Sequence, residues 1–82
     1  MAYQVEYTDT FGGEANYSWV KRASIQTPSC DYRSPSYRST LMRRAKAAMG
    51  LSGVRGVTYW HGDMAEFRPY RMCRVMFVTR CD

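Results

Sequence analysis

The stretch "SYRSTLMRRAKAAMG", residues 36 to 50, decides the fold, because it is the one segment of the chain with a helical period. Placed at 100° per residue from Tyr37, the residues Leu41, Met42, Ala45, Ala48, Met49 and Tyr37 itself share an arc of about 140°. Ser36 is a good N-cap, and Gly50 can take the left-handed geometry that ends a helix. A helix over 37–49 with one core-facing stripe is the expectation. Lys46, Arg43 and Arg44 fall at about 180°, 240° and 340°, spread over the remaining surface, which suits a solvated outer face with cations near the C-terminal dipole. Arg38 falls inside the apolar arc, where it must snorkel past the core or reach a partner such as Asp31.

On either side of this helix the period changes to two. "AYQVEYTD" alternates Tyr3, Val5 and Tyr7 with Gln4, Glu6 and Thr8, so a strand is expected at about 2–8. Gly12 and Gly13 then supply a turn, and "NYSWVKRASIQ" resumes the alternation with Tyr17, Trp19, Ala23 and Ile25 on one face and Val20 on the other. "TPSCDYRSPS" is a loop. Beyond the helix come "VRGVTYWHG", "DMAEFRP" and "RMCRVMFVTR", three further strands, the last with Cys73, Val75 and Phe77 facing away from Arg74, Met76 and Val78. Pro69 cannot donate to a ladder and marks an edge or the end of its strand. The order ββαβββ predicts one compact domain over residues 1–82. Its class is α+β, a mostly antiparallel four- to five-stranded sheet with one helix on one face. One helix leaves the other face bare, so aromatic surface should remain exposed, and Tyr59 and Trp60 lie on opposite faces.

Charge is concentrated in one third of the chain. Between residues 21 and 46, Lys21, Arg22, Arg33, Arg38, Arg43, Arg44 and Lys46 face Asp31 alone, whereas the whole chain carries a formal +5. Such a patch implies a negatively charged partner, and Tyr32 beside Arg33 would suit a phosphate backbone or bases. Cys30, Cys73 and Cys81 form no close pair, and His61 is the single histidine, so neither a structural zinc site nor any other metal or cofactor is expected. His61 and Asp63 read as a hairpin turn around Gly62, not as an acid–base pair. "SCD" at 29–31 lacks a nearby base for a nucleophilic thiol. No paired carboxylates and no phosphate-cradling glycine loop occur, and an enzyme is not expected. No apolar run reaches the roughly 18 residues of a membrane span, which points to a cytoplasmic protein without a membrane partner.

The stretches "VEYTDTFGGEANYSWVKR" and "RAKAAMGLSGVRG" resemble the small open reading frames of bacteriophages and prophages, among which the anti-CRISPR proteins are a well-known group. That resemblance implies a stoichiometric inhibitor in the cytoplasm of a bacterial host. It would bind a protein subunit of a CRISPR-type ribonucleoprotein defence complex, with possible direct contact to nucleic acid. Being basic, the chain departs from DNA mimicry. The contact surface expected from the residues is Arg33, Arg38, Arg43, Arg44, Lys46, Lys21, Arg22 and Tyr32. The alternative reading of the same surface is a small nucleic-acid-binding regulator.

Overall fold

The alternating segments pair into one sheet, and the helical segment crosses one of its faces. The computed structural model describes residues 2–27 and 34–81. Strands β1 (Ala2–Phe11), β2 (Glu14–Gln26), β3 (Gly56–His61), β4 (Met64–Pro69) and β5 (Arg74–Arg80) and helix α1 (Pro35–Ala48) follow the order ββαβββ. The strands lie side by side as β2-β1-β5-β4-β3, every neighbouring pair antiparallel. This is the expected α+β class. Pro69 closes β4, where its missing N–H costs no ladder bond. Cys30, Asp31, Tyr32 and Arg33 lie outside the described residues.

The helix starts earlier than expected. Ser34, not Ser36, holds the N-cap position, with Pro35 opening the first turn, where its fixed φ is suitable and its absent N–H would have had no partner. At the other end Leu51 N–H bonds to Lys46 O at 2.8 Å and Gly50 N–H to Ala47 O at 3.3 Å. Gly50 has φ 72°. That pair of bonds is a Schellman motif, and it needs a residue without Cβ strain at Gly50.

Tyr3, Val5 and Tyr7 of β1, Met76 and Val78 of β5, and Ala65 and Phe67 of β4 pack against Tyr37, Leu41, Met42, Ala45 and Met49. Ala48, expected in this stripe, is exposed. At the start of the helix, Tyr37 OH lies 2.7 Å from Tyr3 OH and 2.9 Å from Thr27 Oγ1, all three residues buried. This chain of hydroxyls satisfies polar atoms that would otherwise cost free energy in the core.

The β1–β2 hairpin departs from the simple alternation. Both turn glycines have positive φ, 64° at Gly12 and 86° at Gly13, as a type I′ turn requires. Thr8 pairs with Val20 and Thr10 with Ala15, so residues 16–19 bulge out opposite Asp9 alone. The Asp9 carboxylate holds this bulge by accepting from Asn16 Nδ2 at 2.9 Å, Ser18 Oγ at 2.6 Å and Ser18 N at 3.0 Å. Those donors, the Ser18 hydroxyl foremost, lower its pKa to about 2. The expected shared phase of Tyr17 and Trp19 does not hold. Tyr17, at φ 55°, sends its hydroxyl to Glu6 at 3.1 Å, whereas Trp19 packs edge-on against Tyr7 with ring centroids 5.3 Å apart.

The hairpin also shields part of the face that the helix leaves bare. Arg68 Nη1 donates to Gly13 O at 2.7 Å, bringing the turn toward β4. Thr8 and Val75, paired across β1 and β5 on that face, are fully buried. Tyr59 remains on it, half exposed, while Trp60 points to the helix side and is partly buried.

Candidate functional site

Helix α1 has two flanks, and its cations divide between them. Arg44 leans toward β2, donating from Nη1 to Gln26 O at 2.6 Å. Arg38, Arg43 and Lys46 lean the other way and line a groove of about 730 Å³ between α1 and β3, with Ser39, Met42, Ser52, Gly53, Thr58 and Trp60. None of these described lining residues carries a negative charge.

Each cation is positioned differently. The Arg38 guanidinium sits over the Trp60 ring, 4.7 Å from its centroid, which is how it snorkels out of the apolar arc. Lys46 Nζ bonds to Val54 O at 3.1 Å and lies 4.2 Å from the centre of the Phe67 ring. Arg43 is exposed, with no ion pair among the described residues. Two cations are thus held by ring faces and a carbonyl, and the third is exposed. Three like charges gathered without a described carboxylate produce a positive potential that a concave, partly apolar wall focuses.

The other described residues of the expected surface, Lys21, Arg22 and Arg44, do not join this groove. Lys21 pairs with Tyr7 across β1 and β2, at the far side of the sheet from β3. Arg22 is on the opposite face of the sheet from the helix, bonded through Nε to Glu6 at 3.0 Å. Arg33 and Tyr32 lie outside the described residues. The six described residues of the expected surface therefore belong to at least three places. Sequence reasoning missed Ser39, Ser52, Thr58 and Trp60. A signal was present for the helix: at 100° per residue Arg38, Met42, Lys46, Ser39 and Arg43 share an arc of about 140°, next to the apolar stripe and away from Arg44.

The other chemistry-bearing residues have local tasks. His61 stacks on Tyr59 at 6.5 Å between centroids, and its Nε2 is 3.5 Å from Glu66 Oε1. Glu66 also accepts a hydrogen bond from Arg68 Nε. Gly62, at φ 58°, forms the turn between His61 and Asp63, and the Asp63 carbonyl accepts from Arg80 N at 3.1 Å. Among the described residues no three His, Cys, Asp or Glu side chains converge as metal ligands would, and no helix is long and apolar enough to cross a membrane. No family model matches the chain, and no curated protein or solved structure matches it.

Proposed function

We propose that this protein acts by binding and not by catalysis, as a stoichiometric inhibitor of the small phage type. In the cytoplasm of a bacterial host it docks its basic groove on a CRISPR-type defence complex and covers a nucleic-acid-binding or subunit-docking surface. What supports this reading is the convergence of Arg38, Arg43 and Lys46 on one concave site beside α1, two of them already held in position. Preorganised cations lose less side-chain entropy on binding than free ones, so such a site binds anions better than the same charges scattered.

The two adjacent arginines provide the test. Arg43 lines the groove, and Arg44 bonds to β2 on the other flank. Titrated against a purified CRISPR effector complex in a target-cleavage assay, the native protein should inhibit at equimolar concentration. Arg43→Glu should relieve the inhibition, and Arg44→Glu should leave most of it. Equal inhibition by the native protein and Arg43→Glu removes the groove from the mechanism, and absence of inhibition by the native protein removes the defence complex.

A further inference from the structure

We infer that the groove between α1 and β3 takes the sugar–phosphate backbone of a single nucleic-acid strand, an inference that rests on reading this groove as the contact surface of the inhibitor. The lining is built for phosphate. Arg38, Arg43 and Lys46 supply the charge, and the hydroxyl-bearing Ser39, Ser52 and Thr58 stand among them in the lining. Arginine, lysine, serine and threonine are the side chains that phosphate oxygens most often meet in nucleic-acid complexes. An acidic protein segment would need an apolar anchor in addition to its carboxylates. The groove's apolar wall includes Met42 and Trp60, and the face of the Trp60 ring already carries the Arg38 guanidinium.

The shape selects for one strand. The site is a cleft between a single helix and a single strand, and the cations along α1 span nine residues from Arg38 to Lys46, about 12 Å of helix. A flexible single strand can follow that line into the cleft, whereas a stiff, wide duplex adapts to it less well. Because Trp60 already stacks with Arg38, bases have no open aromatic platform there, and recognition is indifferent to sequence. Three phosphate contacts set the salt dependence. At about −0.7 per contact for single strands, log K should fall with log[salt] at a slope of about −2.

The experiment is fluorescence anisotropy of labelled dT and rU dodecamers, a matching duplex, a mononucleotide and poly-Glu, each over a salt series with the full chain. Expected are binding of both single strands with the slope of about −2, weak binding of the duplex, and none of the mononucleotide or poly-Glu. Arg43→Gln should lower the slope by about 0.7, and Arg44→Gln should leave it unchanged. A duplex bound as tightly as a single strand, poly-Glu bound equally well, an unaltered slope in Arg43→Gln, or no oligonucleotide binding at about 50 mM salt would each overturn the inference. If oligonucleotides do not bind but Arg43→Glu still relieves inhibition of the defence complex, the inhibitor reading stands and the groove contacts protein. Oligonucleotide binding without inhibition gives the reverse result.

Discussion

Removing one oxygen atom, by Tyr37→Phe, should destabilise the domain more than its size suggests. The Tyr37 hydroxyl joins Tyr3 at 2.7 Å and Thr27 at 2.9 Å, in a layer where Tyr3 is fully buried. The substitution keeps the ring and its packing, so no cavity term enters. It deletes the two described hydrogen bonds, at a net 0.5–1.5 kcal/mol each, for a total of about 2 kcal/mol. A domain of this length has roughly 4–12 kcal/mol in hand, and each kcal/mol moves the midpoint by about 4–8 °C. The expected loss is then about 8–16 °C, measured by thermal unfolding followed by circular dichroism. Tyr3→Phe removes one of the two bonds and should cost about half as much. The Tyr3–Tyr37 bond is lost in either single variant and can be lost only once, so the cost of the double variant should fall short of the sum of the two single costs. A Tyr37→Phe midpoint within the scatter of surface substitutions, about 0.5 kcal/mol, would refute the reasoning. It would mean that water or backbone groups satisfy these hydroxyls equally well. The effect also reaches the groove, since Tyr37 anchors the first turn of the helix from which Arg38 extends.

Two further tests address the sheet. Gly56 pairs with Pro69, and a Cβ there would meet the Arg68 carbonyl and come within 2.8 Å of the Phe67 ring, so Gly56→Ala should cost about 1–3 kcal/mol in urea unfolding. A neutral result would show that β3 shifts away from β4 freely. Asp9 has a pKa of about 2 in the fold against an ordinary 3.8, so it stabilises the protein above about pH 4, and this contribution is lost as pH falls toward 2. Between pH 4 and 2 the urea midpoint of the native protein should fall more steeply than that of Asp9→Asn, and parallel profiles would show that Asp9 does not hold the bulge.

Most of the architecture could be read from local pattern. A helix with one apolar stripe and strands with period two are properties of consecutive residues, as is the double-glycine turn, because side-chain direction repeats with the backbone. The same patterns gave the ββαβββ order and placed Tyr59 and Trp60 on opposite faces. Local pattern failed at the β1–β2 bulge. There Asp9 collects Asn16 and Ser18, and the reversed backbone at Tyr17 breaks the phase that the alternation implied.

The candidate site depended more on the tertiary structure. The composition of residues 21–46 determined that the protein carries a local excess of positive charge, since charge is a property of the side chains wherever they end up. Which charges act together was decided by the fold. Packing α1 on the sheet gave it a β2 flank and a β3 flank. Arg44 went to the first; Arg38, Arg43 and Lys46 went to the second, where Trp60, Thr58 and Ser52 arrived from distant sequence. Arg22 went to the other face altogether, bonded to Glu6. Coulomb attraction and hydrogen bonding act over a few ångströms in space and take no account of separation along the chain, so a groove of this kind exists only once the strands and the helix have been assembled.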